Sequence, residues 1–97
     1  MDDKRSFNRW FREGEDQAVV TCSNQTQDVG NIIDVSVGGM RVALHKPVTV
    51  GEEVYGQFQV MDFPYYVHGK VNRVLPQGGD WEVAIAFDKV SSIPLSV

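Results

Sequence analysis

A single cysteine, Cys22, occurs among the 97 residues, so no disulfide can close within the chain and packing must hold the fold. No apolar run approaches the roughly 20 residues of a membrane-spanning helix, and the polar start Met1-Asp2-Asp3-Lys4-Arg5 does not read as a secretory signal. These absences predict a cytoplasmic protein without membrane insertion. Cations are also scarce: nine Lys and Arg face thirteen Asp and Glu, a net charge of -4. That balance argues against broad, unspecific binding of DNA or RNA. His45 and His68 stand far apart, with no Cys or carboxylate at zinc-ligand spacing, so no metal site is expected. No Ser-His-Asp set, P-loop or paired catalytic carboxylates can be assembled either, which predicts a protein that is not an enzyme and has no cofactor. Cys22 lies in a β-forming stretch and reads as a small buried hydrophobe rather than a nucleophile.

What is present is the composition of one globular domain: 42% hydrophobic and 23% charged residues, too apolar for a disordered chain. Charge is unevenly spread. Lys4, Arg5, Arg9 and Arg12 stand against Asp2 and Asp3 in the opening dozen residues, leaving a basic arm on an acidic body. Such a distribution suits one small anion better than a polyanion. Residues 1–16 read as an arm or short helical turn docked by Phe7, Trp10 and Phe11, and residues 17–97 as the domain proper. Six short strand patterns follow: Gln17 to Cys22, Val29 to Val35, Met40 to Leu44, a stretch about Val54 to Val60, Tyr65 to Leu75, and Trp81 to Phe87. Turn residues separate them at Ser23–Asp28, Ser36–Gly39, His45–Glu52, Met61–Pro64 and Pro76–Asp80. In the fifth stretch Tyr65, Val67, Gly69, Val71, Arg73 and Leu75 are expected on one face. Trp81 is expected to close the core. No long helical period, repeat or low-complexity tract is present. The spacing predicts an all-β, antiparallel barrel or sandwich, and closure would remove exposed edges.

Two motifs carry the chemistry. Arg5 and Arg9 form Arg-x-x-x-Arg, an offset that keeps both guanidiniums on one side in a helix or a strand. Each guanidinium is a planar, permanently charged fork suited to phosphate and to the O6/N7 edge of guanine. Asp34-Val35-Ser36-Val37-Gly38-Gly39 contains Asp-x-Ser-x-x-Gly, which adds a carboxylate acceptor, a hydroxyl and glycines allowing close approach to the backbone. Together they read as a site for an anionic, guanine-bearing ligand.

The order of these motifs, with Met40–Leu44 and Trp81–Phe87 after them, resembles the PilZ domain, the bacterial receptor module for cyclic di-GMP. The resemblance covers nearly the whole chain and implies a six-stranded antiparallel β-barrel of the split-barrel type. A flexible N-terminal arginine arm would precede it, with little or no C-terminal helix. It also implies that Arg5 and Arg9 contact phosphates and guanine edges, that Asp34 accepts from guanine N1/N2, and that Ser36 hydrogen-bonds a base or phosphate. Gly39, and Gly38 by extension, would keep Cβ atoms from beneath the ligand, while Arg41, Arg12 and Lys4 are possible further contacts. A departure stands at Ala84, where many relatives have glycine. The expected mechanism is an arm ordered by ligand, which then alters the surface shown to a downstream protein by a monomer or weak homodimer. Two other readings remain. One is a PilZ-like interaction module that binds protein without nucleotide. The other is a small barrel binding single strands through Trp10, Phe11 and Tyr66, which the acidic body disfavours.

Overall fold

Alternating apolar residues can bury one side of a strand, and here six such strands close on themselves. The computed structural model describes residues 16–60 and 62–95. Its strands are β1 (Gln17–Cys22), β2 (Gln27–Ser36), β3 (Gly39–Leu44), β4 (Glu53–Val60), β5 (Phe63–Gln77) and β6 (Asp80–Ser91). All pairs are antiparallel, in the closed order β1-β2-β3-β6-β5-β4. No helix occurs among the described residues, and so none long and apolar enough to cross a membrane.

The lumen is filled by side chains from every strand. Ala18, Val20, Ile32, Val35, Met40, Val42, Leu44, Val54, Phe58, Val60, Val67, Val71, Val83 and Ile85 form one buried cluster, with no polar side chain buried among them. Trp81 is half-buried and packs against this cluster as expected of a core-closing residue, as do Phe87 and Tyr65. Cys22 also packs on it, and burial together with nearby Glu52 pushes its thiol up.

The predicted strand positions hold, but several turns are tighter than composition implies. Gln27 and Asp28 belong to β2, which leaves residues 23–26 for the first turn. Pro76 and Gln77 stay in β5, paired with Trp81 and Asp80. Only Gly78 and Gly79 turn the chain, with φ of 56° and 91°. Positive φ at both central residues is what the common two-residue hairpin turn demands, and glycine meets it without steric cost.

Strict alternation also fails because the ladder contains three bulges: Asp88 is an extra residue on β6, between the Gly69–Phe87 and His68–Lys89 pairs, and the other two reset polar residues. On β2, Ile32 pairs with Val42 but Asp34 pairs with Arg41, so Ile33 is an extra residue. On β5, Val71 pairs with Ile85 but Arg73 pairs with Ala84, so Asn72 is extra. A period of two would send Asp34 inward with Gly30 and Ile32, and Arg73 inward with Val67, Gly69 and Val71. Each inserted residue reverses the phase. Arg73 and Leu75 are therefore exposed, contrary to the one-face reading, and Val74 is half-buried against the core instead. Keeping an unpaired charge out of an apolar lumen is a sufficient physical reason for both shifts.

Candidate functional site

The β2 bulge leaves Asp34 and Ser36 on the outer face, and the two-residue connection Val37-Gly38 brings in Gly39 and Arg41 on β3. These five positions, Asp34, Ser36, Gly38, Gly39 and Arg41, line an open groove of about 350 Å³ with Asn72, Ala84 and Ala86 among its other walls. Ala84 and Ala86 are short residues of β6, cross-strand from Arg41 and Gly39. Alanine at Ala84, where the resembling family commonly has glycine, thus sits on the groove floor.

Within the groove, polar groups are already organised. Asp34 Oδ2 accepts from Arg41 Nε at 3.0 Å and from Arg41 Nη2 at 2.6 Å. Arg41 Nη1 donates to Glu82 Oε2 at 3.1 Å. The Asp34 bond and, secondarily, Glu82 hold the guanidinium's pKa above its already high ordinary value. The trio is partly open to solvent, with side-chain exposures of 35% for Asp34, 40% for Arg41 and 15% for Glu82. Arg41, expected as a possible further ligand contact, is held here as a clamp on Asp34. Both clamp bonds fall on Oδ2, while Oδ1 takes no hydrogen bond among the described residues and can accept a further donor.

Ser36 adopts the local turn role open to any serine there. Its Oγ accepts from the Gly38 N–H at 3.3 Å and donates to the Gly39 carbonyl at 3.4 Å. This rotor can exchange those bonds for a ligand. The glycines differ from each other. A Cβ on Gly38 would meet nothing within 4 Å, whereas one on Gly39 would lie 2.4 Å from the Ile85 carbonyl oxygen. Gly39 is therefore required by the close β3–β6 approach, a reason the motif alone does not reveal. The Gly38 carbonyl accepts from the Phe87 N–H at 2.9 Å and ties the hairpin to β6.

Lys4, Arg5, Arg9 and Arg12, and the aromatics Phe7, Trp10 and Phe11, lie outside the described residues. The arm's root is described. Asp16 precedes β1, and its carbonyl accepts from the Ile32 N–H at 2.8 Å, two residues before Asp34 along β2. The seven chain steps from Asp16 back to Arg9 can span up to about 23–25 Å, several inter-strand spacings.

Sequence reasoning missed Glu82, Asn72 and the alanine floor. Glu82 sits in a strand pattern and its bond to Arg41 exists only through the β3–β6 pairing. Asn72 reaches the groove only because of the β5 bulge. A larger concavity, about 690 Å³, lies at the other end of the barrel between the β1–β2 turn and residues 46–52. Of the described motif residues, Asp34, Ser36, Gly38 and Gly39, none lines it. Near that end Asp28 accepts from the His45 and Lys46 N–H groups at 2.7 and 2.9 Å, and its Oδ1 lies 3.2 Å from His45 Nδ1.

Comparison with known families gives one result that covers this geometry: the family model described as PilZ domain matches residues 3–95. The match includes both arginines of the arm and the whole described barrel. No curated protein matches the chain.

Proposed function

The chain belongs to the PilZ domain family, and on that premise we propose that it is a cytoplasmic receptor for cyclic di-GMP that signals by ordering its N-terminal arm. The reading rests on one observation above others. Two carboxylates and one guanidinium give the Asp34–Arg41–Glu82 trio a net negative charge, yet the groove that Asp34 and Arg41 share with Ser36 belongs to a family of receptors for an anionic dinucleotide. Such a groove needs cations from elsewhere, and the arm rooted at Asp16 carries four of them at Lys4, Arg5, Arg9 and Arg12.

The chemistry divides accordingly. Arg5 and Arg9 neutralise the phosphates and meet guanine O6/N7. Asp34 offers Oδ1 to guanine N1–H or N2–H while Arg41 fixes the carboxylate through Oδ2. Ser36 turns its hydroxyl from Gly39 to the ligand. Gly38 leaves open space at the hairpin, and Gly39 keeps that hairpin close to β6. Ordering an arm residue costs roughly 1–2 kcal/mol of backbone entropy. Each charge-assisted hydrogen bond returns about 1.5–3 kcal/mol. Several bonds are required before the arm stays down, so arm and hairpin act only together. The ordered arm then presents a changed surface to an effector protein.

Isothermal titration calorimetry with cyclic di-GMP, with GTP and cyclic di-AMP as controls, tests the reading. Binding by the unaltered chain and its loss in Arg9→Ala, with an unchanged denaturation midpoint, are expected. Failure of the unaltered chain to bind would refute the receptor role and favour an interaction module independent of nucleotide.

A further inference from the structure

Opposite the Asp34–Arg41 clamp, the same groove has another side built by β5. Arg41 pairs with Ala84 on β6, and Ala84 pairs in turn with Arg73 on β5. Two residues along, Gly39 pairs with Ala86 and Ala86 with Lys70. The two alanines thus form a low floor between β3 and β5, whose backbones stand about 10 Å apart across two inter-strand spacings. The inserted Asn72 is one of the groove-lining residues, and the phase reversal it causes sends Arg73 outward. Arg73 and Lys70 are exposed, and neither makes an ion pair among the described residues. Glu53, the residue opposite Lys70 on β4, instead lies 3.3 Å from His68 Nε2.

Resting on the receptor reading above, we propose that the β5 bulge is a ligand-reading wall: Arg73 binds a phosphodiester group of the bound dinucleotide and Asn72 hydrogen-bonds a base edge. Two facts drive this assignment. Arg41 is already engaged by Asp34 and Glu82, so a cation on the far side of the floor supplies the attraction that Arg41 cannot. An Asn amide both donates and accepts, which suits the mixed donor and acceptor edge of guanine. The bulge therefore has a role beyond sparing the core a buried charge: it aims two polar side chains at the ligand from the strand facing the motif hairpin. Lys70 adds positive potential at the groove's end.

The test uses the full chain and cyclic di-GMP. Arg73→Gln and Asn72→Ala are exposed changes, and urea denaturation should match the parent. Lys89→Gln removes a cation from β6 outside the groove and controls for net charge. Arg73→Gln is expected to weaken binding by roughly tenfold or more, the size of one charge-assisted contact. Lys89→Gln should change it less than about twofold, since a distant exposed charge is screened. Asn72→Ala should narrow the preference for cyclic di-GMP over cyclic di-AMP. In NMR titration of the unaltered chain, the Asn72 side-chain amide and the Arg73 Nε–H should shift. Binding within about twofold of the parent in both variants, with those signals unmoved, overturns the β5 wall and leaves the receptor reading standing. An unaltered chain that binds no cyclic di-GMP overturns both.

Discussion

Replacing the two adjacent glycines of the hairpin by alanine should have effects of opposite sign. At Gly39 the added Cβ would stand 2.4 Å from the Ile85 carbonyl oxygen and 3.5 Å from the Ala86 Cα. Both neighbours are backbone, so no side chain can rotate away. Relief requires β3 to move from β6 by a large fraction of an ångström, in a ladder that pairs Gly39 with Ala86 and Met40 with Ile85. Overpacking of this kind costs about 1–3 kcal/mol. The reduced freedom of the unfolded chain returns roughly 0.4–1 kcal/mol. A net loss of about 1–2 kcal/mol remains, near 4–16 °C in Tm for a domain of this size. At Gly38 the new methyl meets nothing within 4 Å, and the residue is not in the left-handed region. Only the unfolded-state gain applies, so Gly38→Ala should be neutral or stabilised by up to about 1 kcal/mol. Urea denaturation at constant slope measures both. Parent-like stability in Gly39→Ala, or a loss above about 1 kcal/mol in Gly38→Ala, would refute the assignment of the motif's last glycine to barrel packing.

The Asp28–His45 contact sets a pH window. Burial would raise the Asp28 carboxyl, but the Lys46 N–H and the His45 side chain and N–H overcome it and hold the carboxyl below its ordinary value. The Asp28 carboxylate in turn holds the His45 imidazole above its ordinary value, with Asp80 assisting. The pair's stabilisation is therefore complete between the unfolded values, about 3.9 and 6.5. It falls away as pH drops through the depressed carboxyl value or rises through the raised imidazole value. His45→Ala should lose more stability at pH 5.5 than at pH 9, measured by urea midpoints; an equal loss at both would dismiss the coupling. For the clamp, a double-mutant cycle of Asp34→Ala and Arg41→Ala should give a coupling of about 0.2–1 kcal/mol, since both side chains are partly exposed. A coupling indistinguishable from zero would mean the pair is not formed in solution.

The amino-acid sequence by itself determined six strands, most of their inward apolar residues, and the positions of the Arg-x-x-x-Arg and Asp-x-Ser-x-x-Gly motifs. Local chemistry suffices for these, because alternation such as Val54, Phe58 and Val60 needs no partner to be read and Gly78-Gly79 turns wherever it occurs. The face each polar residue occupies was decided only by tertiary structure. Counting by twos puts Asp34 and Arg73 in the core; the extra residues Ile33 and Asn72 put them outside, and a bulge is defined by the strand opposite rather than by its own composition. The same holds for Arg41, whose two carboxylate partners stand seven and forty-one residues away. It holds for Gly39 too, whose necessity comes from the Ile85 carbonyl on another strand. Closure of the barrel brings these groups within bonding distance, and distance in space is what a one-dimensional pattern does not encode.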